Sequence, residues 1–188
     1  MKKIFPVALI LLGVVFVVAG GYTIYRGVDA RNQVRDELIA QRITTPEDAS
    51  IPNARVDDAA TAKSMAEIIE QHALASTGGR TYSEMGRYLA LDGGDTDVAD
   101  EAVKGADGKP VANPLRNTAF QASSLRTSLY TSVMAFEVSN LVLGLGAMII
   151  VLGLAVGGLG VALGGLAIPT LARRLKVEPV AAQPMAHA

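Results

Sequence analysis

Three side chains in the middle of the chain could perform acid–base or metal chemistry together: His72, Tyr82 and Glu84. Histidine changes its charge near neutral pH and is a common metal ligand, so a carboxylate or a phenol beside it could complete a small site. Gly78 and Gly79 allow the chain to turn back between these residues. The alternative is that His72 only packs and hydrogen bonds near the end of a helix. We favour this structural role.

Other polar groups resemble ligand-binding motifs but lack essential positions. Asp95-Thr96-Asp97 resembles the start of a calcium loop, yet Ala106 occupies the twelfth position, where such a loop needs a glutamate. The segment 104–109 is no phosphate loop, because no strand precedes it and no serine or threonine follows its last lysine. We therefore expect a mobile, solvated acidic loop over residues 92–111, and no bound cofactor. Its acidic side chains include Asp92, Asp95, Asp97, Asp100 and Glu101.

The composition excludes further chemistry. The chain of 188 residues has no cysteine, which excludes disulfides, thiolate metal sites and thiol nucleophiles. Two apolar runs, at residues 4–25 and 138–171, leave only residues 26–137 to fold in water. That length suffices for one small domain and not for a large catalytic core.

Each apolar run reaches the ~20 residues that a helix needs to cross a bilayer core. The sequence therefore predicts an all-α, two-pass membrane protein with four parts: residues 1–25, the middle segment 26–137, the second span 138–171 and the tail 172–188. Residues 1–25 also resemble a secretory signal, with Val17-Val18-Ala19 as a candidate cleavage site. Their apolar run is longer than a signal core, so we favour an uncleaved anchor.

The charges predict the orientation in the membrane. The two tails carry a net charge of +4, and the middle segment carries −5. Because basic residues near span ends stay in the cytoplasm, we expect both termini to be cytoplasmic and the middle segment to lie outside the plasma membrane. Arg26, Arg31 and Arg35 follow the first span and oppose this assignment. We expect a lipid bilayer as a partner and no nucleic acid.

Helical patterns continue beyond both spans. The first helix is predicted to extend to Ile39 and the second to begin at Pro114, after the N-cap Asn113, so the two would form antiparallel stalks. A small helical insert is expected between them. It consists of a helix from Asp57 to the Gly78-Gly79 stop, and a short helix over residues 81–91 that begins with a capping box.

Glycines in the second span lie on one face. At 100° per residue, five of them fall within about 60° of arc and include pairs at GxxxG spacing, which indicates a close helix contact. These glycines are Gly146, Gly153, Gly157, Gly160 and Gly164. The partner would be the first span, through Gly13 and Gly20, or the same helix of a second copy or of another membrane protein.

Arg126 interrupts the apolar stripe of the second stalk. A charge at a helix contact must be paired or must reach water along its own stem. We expect an ion pair with the first stalk, at Asp29, Asp36 or Glu37, and keep a snorkelling arginine as the alternative.

Three segments resemble a known group of proteins: His72-Ala73-Leu74, residues 77–84 (TGGRTYSE) and residues 124–136 (SLRTSLYTSVMAF). The chain resembles small two-pass membrane proteins of high-GC Gram-positive bacteria, many of which carry the label "aromatic ring-opening dioxygenase". An iron site of that type needs two histidines and a carboxylate. The only histidines are His72 and His187, which the predicted topology places on opposite sides of the membrane. We therefore do not expect dioxygenase activity.

These observations favour a non-enzymatic interaction or envelope-associated component. Two other classes stay open: a small metal-binding or enzymatic module centred on His72, Tyr82 and Glu84, and a lipid-handling subunit. The metal content of the purified protein separates the first of these from the others, and bound lipid separates the second.

Overall fold

The computed structural model describes residues 4–174, with side chains up to residue 165. Two long helices dominate this part of the chain: α1 (Ile4–Ala40) and α3 (Pro114–Arg174). Between them lie the helix α2 (Ala59–Ser76), a 3₁₀ turn (Tyr82–Glu84) and two short antiparallel strands, β1 (Tyr88–Leu89) and β2 (Asp95–Thr96). The fold is mostly helical, as predicted, but it is not purely helical.

The described chain divides into two compact units. The helix-pair unit holds the residues up to Gly27 and those from Leu141 onward, and the middle unit holds Val28–Asn140. Both α1 and α3 contain a window long and apolar enough to cross a membrane, with a mean hydropathy of 2.7 and 2.5. These windows are only 17 % and 11 % buried, whereas the core helix of a soluble protein is mostly buried.

In the helix-pair unit, backbone atoms of the two helices touch at glycines. A Cβ added to Gly13 would lie 2.6 Å from the carbonyl oxygen of Gly153, and one added to Gly20 would lie 2.7 Å from that of Gly146. A Cβ on Gly160 would lie 2.8 Å from the carbonyl oxygen of Pro6. Because early residues of α1 meet late residues of α3, the two helices run in opposite directions in this unit.

The tightest glycines of α3 are spaced by seven residues. Gly146, Gly153 and Gly160 are buried against α1, whereas a Cβ on Gly157 or Gly164 would have its nearest neighbour at 3.7 Å, an ordinary contact. A seven-residue repeat is typical of helix pairs that wind around each other with a left hand. Gly157, four residues after Gly153, also lies close to α1, since a Cβ added to Gly13 would be 2.7 Å from the Gly157 Cα atom.

The middle unit has its own apolar core, in which α2 packs against the parts of α1 and α3 that belong to this unit. The core residues are Leu38, Val56, Ala62, Ala66, Leu129 and Phe136. Thr45, 1 % exposed, closes the connection between α1 and α2: its hydroxyl donates to the carbonyl of Ile51 and accepts from the N–H of Ala54.

The ends of the helices follow local sequence signals. Asn113 Oδ1 accepts the N–H of Leu115 at 3.0 Å, so Asn113 caps α3 as predicted. The cap of α2 is Asp58 rather than Asp57, and its carboxylate accepts the N–H of Thr61 at 2.8 Å. Gly78 follows the end of α2 with a φ of 65°, in the left-handed region that favours glycine.

The predicted helix over residues 81–91 is wrong. Only the 3₁₀ turn forms, and the chain then enters β1. Gly86 lies against the backbone of Thr96, where an added Cβ would be 2.5 Å from the Thr96 nitrogen. Only a glycine can approach the Thr96 backbone this closely. The backbone groups that a longer helix would have paired within itself are paired instead between β1 and β2.

The predicted mobile loop over residues 92–111 is instead closed by backbone hydrogen bonds. The N–H of Val103 donates to the carbonyl of Leu89, and the N–H of Val111 donates to that of Val103, both at 2.9 Å. Bridges also pair Ala90 with Ala102 and Lys104 with Pro110. The insert therefore contains a small β region beside its one helix.

Candidate functional site

A cleft of about 350 Å³ lies between α2, the 3₁₀ turn and α3 in the middle unit. We call it the α2–α3 cleft. Small apolar side chains and hydroxyl groups form much of its lining, together with the charged side chains of Glu70, Arg80 and Arg126. The other lining residues are Ala73, Leu74, Thr81, Tyr82, Ser83, Ala119, Ala122 and Ser123.

Arg126 pairs with a different helix from the one that the sequence indicated. One terminal nitrogen donates to Glu70 Oε2 at 2.7 Å, with the two side chains 29 % and 42 % exposed. The prediction of a partner at Asp29, Asp36 or Glu37 on α1 is wrong, because the carboxylate that Arg126 contacts belongs to Glu70 of α2. The Nε atom is buried and has no hydrogen-bond partner among the described residues.

His72 lies on α2 with its Nε2 atom 2.7 Å from Asp48 Oδ2, a residue of the connection between α1 and α2. Both side chains are more than half exposed. The hydrogen bond from His72 lowers the pKa of Asp48 below its usual value. Tyr82 and Glu84 were the partners that a functional role of His72 would have required. His72 contacts Asp48 instead.

Glu84 is occupied by its own turn. One carboxylate oxygen accepts both the hydroxyl and the backbone N–H of Thr81 at 2.7 Å, which is the capping box that the sequence predicted. Both hydrogen bonds lower the pKa of Glu84, and the one from the Thr81 hydroxyl has the larger effect. A carboxylate held in its charged form as a cap is a poor general base, since its affinity for a proton is reduced.

Asp95 has a role that sequence reasoning missed. Its carboxylate accepts the N–H of Gly86 at 2.9 Å and a guanidinium N–H of Arg80 at 2.6 Å, and it receives a longer hydrogen bond from Asn113. The Gly86 N–H and then Arg80 lower the pKa of Asp95. Asp95 joins the end of α2, the β region and the start of α3, so it is a structural centre rather than part of a solvated loop. The only sequence signal near Asp95 was the predicted N-cap at Asn113, which donates a hydrogen bond to Asp95.

Among the residues that the structure describes, no group of three histidine or acidic side chains is arranged to hold a metal ion. His187 lies outside these residues. In the α2–α3 cleft, Glu70 is paired with Arg126, and Arg80 is paired with Asp95. The hydroxyls of Tyr82, Ser83 and Ser123 add donors and acceptors. This arrangement can bind a polar group.

Comparison of the whole chain with models of protein families, with curated proteins and with solved structures gives no match in any of the three. The function of the chain is therefore inferred from its own sequence and structure.

Proposed function

We propose that the chain is a two-pass membrane protein whose helix pair anchors the middle unit at the outer face of the plasma membrane, where it acts as a non-enzymatic binding component. The observation that carries this proposal is the outward apolar surface of the helix-pair unit. Leu11, Val18, Leu154 and Val161 are each more than 60 % exposed, while Gly146, Gly153 and Gly160 lie against α1. Exposed apolar surface of this extent needs a lipid or protein environment.

The orientation rests on charge. A net charge of +4 on the tails against −5 on the middle segment favours cytoplasmic termini and an extracytoplasmic middle unit. In this view, the parts of α1 and α3 beyond the bilayer are antiparallel stalks that support α2 and the β region.

A binding role is supported by what the polar residues do. His72, Glu84 and Asp95 form hydrogen bonds with Asp48, Thr81 and Gly86 respectively, so each of them already has a partner within the chain. The α2–α3 cleft remains as a surface that offers hydroxyl groups and a partly exposed ion pair. We propose that this cleft contacts a polar group of another envelope component.

Cysteine labelling tests the orientation, because the natural chain has no cysteine. Single cysteines at the exposed positions Ala75 and Ala106, and at Ala182 in the tail, would be treated in whole cells with an impermeant thiol reagent. We expect labelling at the first two and none at the third until the cells are opened. The reverse pattern would overturn the proposed topology.

Site-specific photocrosslinking tests the binding role. A photoreactive residue would replace Ser123, which lines the α2–α3 cleft, or Gln71, an exposed residue of α2 that does not line it. We expect a discrete adduct in cells from the Ser123 position and none from the Gln71 position. Equal adducts from both positions, or none from either, would contradict binding at this cleft.

A further inference from the structure

Tyr82 also lines a second cleft, of about 520 Å³, beside the first two turns of α3. We call it the basic cleft. Its lining combines two arginines, two asparagines and two aromatic rings. The residues are Tyr82, Arg87, Ala112, Asn113, Pro114, Arg116, Asn117 and Phe120.

The charge of this cleft is opposite to that of the segment around it. The middle segment has a net charge of −5, yet no carboxylate lines the basic cleft. Arg87 lies 3.3 Å from Asp97, but both side chains are more than 60 % exposed, and water screens such a pair strongly. Arg116 forms no ion pair within the part of the chain that the structure describes. Both guanidinium groups can therefore receive an anion.

Arg116 is held in a fixed orientation. Its Nε donates to the carbonyl of Met85 at 3.0 Å, and its guanidinium carbon lies 4.0 Å from the centre of the Tyr82 ring. These contacts hold the planar group without using its terminal nitrogens, which match a carboxylate or a phosphate in two-point hydrogen bonding. On the same side of α3, the amide of Asn117 makes no side-chain hydrogen bond to any described residue.

An aromatic surface lies beside these donors. The rings of Tyr82 and Phe120 have centres 5.6 Å apart, and Phe120 is 53 % exposed although it belongs to the middle unit. An exposed ring next to anchored cationic groups favours a ligand that has a ring of its own, because ring faces stack on aromatic side chains. We infer that the basic cleft binds a small anion attached to a ring, such as a phosphorylated or carboxylated sugar or aromatic compound.

Binding to the full chain in lipid nanodiscs tests this inference, and it does not depend on the orientation in the membrane. Phenyl phosphate and glucose 1-phosphate would be compared with inorganic phosphate, phenol and glucose by isothermal titration calorimetry. We expect at least one of the two ring phosphates to bind at least tenfold more tightly than each of the three partial probes. If neither ring phosphate does so, the inference is wrong.

Variants locate the site. Arg87→Gln and Phe120→Ala should each weaken binding at least fivefold, because both side chains line the cleft. Both side chains are exposed and contribute little to the core, so the fold should be retained. Arg116→Gln should abolish binding, and its circular dichroism spectrum shows whether the fold is retained. Arg55→Gln is the matched control, because Arg55 has a similar exposure and pairs with Asp57, which does not line the cleft. A loss with Arg55→Gln equal to that with Arg87→Gln would place the binding elsewhere and overturn the inference.

Discussion

The helix-pair unit and the middle unit are stabilised by different kinds of contact. In the helix-pair unit, backbone atoms approach each other at glycines repeated every seven residues, such as Gly146 and Gly153 against α1. In the middle unit, a small apolar core is accompanied by single polar side chains that form several hydrogen bonds each: Thr45 within the connection between α1 and α2, and Asp95 with Arg80, Gly86 and Asn113. The first arrangement tolerates changes outside the repeat, whereas the second depends on individual residues.

The largest effect is expected at the centre of the glycine repeat. Gly153→Ile would place a Cβ 2.8 Å from the carbonyl oxygen of Gly13 and 2.9 Å from the Val17 nitrogen, so the two helices must separate. We expect a loss of about 3 kcal/mol in the free energy of unfolding, measured by SDS titration in detergent micelles.

The matched control is Gly158→Ile, because a Cβ at Gly158 has nothing within 4 Å. This variant should unfold at the SDS fraction of the natural protein. If the two variants behave alike, close glycine contact does not stabilise the helix-pair unit. The two units would then not differ in the kind of contact that stabilises them.

The corresponding change in the middle unit is Asp95→Asn. The amide keeps the shape of the side chain but loses the charge that receives Arg80 and the Gly86 N–H. We expect a loss of about 2 kcal/mol, the typical contribution of hydrogen bonds to a charged group. Hydrogen exchange at the Gly86 amide should also accelerate. Asp97→Asn, at an exposed site nearby, should leave that amide protected.

Acid should weaken the middle unit through the same carboxylate. The folded-state pKa of Asp95 is lowered, so its contribution is fully present above the unfolded pKa of about 4 and is lost as the pH falls through the lower folded value. The difference in stability between the natural protein and Asp95→Asn should therefore shrink below about pH 4. A constant difference down to pH 2 would show that the charge of Asp95 is not what stabilises the unit.

A smaller effect is expected for the ion pair of the α2–α3 cleft. Arg126→Lys keeps the charge but loses the planar guanidinium that donates to Glu70. We expect a loss of about 1 kcal/mol in thermal or chemical unfolding, in the range of a partly exposed pair. The loss should be absent when Glu70 is already replaced by glutamine. An unchanged stability of Arg126→Lys in the natural background would favour a snorkelling arginine without an ion pair.

The smallest effect is expected at His72. The contact with Asp48 joins two exposed side chains, so His72→Gln should leave the melting temperature of the purified protein unchanged within error. Elemental analysis of the natural protein should find no stoichiometric iron. Stoichiometric metal that disappears in the variant would restore the metal-binding alternative.

The two units also differ in how well the sequence predicted them. The apolar runs, the length of α1 and the cap of α3 at Asn113 were predicted because each depends on a periodic or local pattern. Gly146 and Gly153 were predicted to lie on one packing face, and a contact with the first span through Gly13 and Gly20 was one of the alternatives. Their seven-residue spacing was not recognised, because the prediction relied on pairs four residues apart.

The middle unit was predicted less well because its decisive contacts join distant residues. The capping box at Thr81 formed, yet Gly86 and strand pairing ended the helix that it was expected to begin. Asp95 and Arg126 were both noticed, but their partners lie on elements whose packing no local pattern specifies. Of the residues that line the α2–α3 cleft, the sequence singled out Tyr82 and Arg126, but it did not indicate Glu70, the partner of Arg126.

If the chain is a membrane protein, the outward apolar surface of the helix-pair unit lies in lipid. A nitroxide label at Leu152→Cys, where the natural side chain is 52 % exposed, would be studied in the full chain reconstituted into bilayers. We expect oxygen to relax this label efficiently and a water-soluble nickel chelate not to, with the opposite preference for a label at Ala75→Cys in the middle unit. Equal relaxation of both labels by the nickel chelate would contradict the membrane assignment.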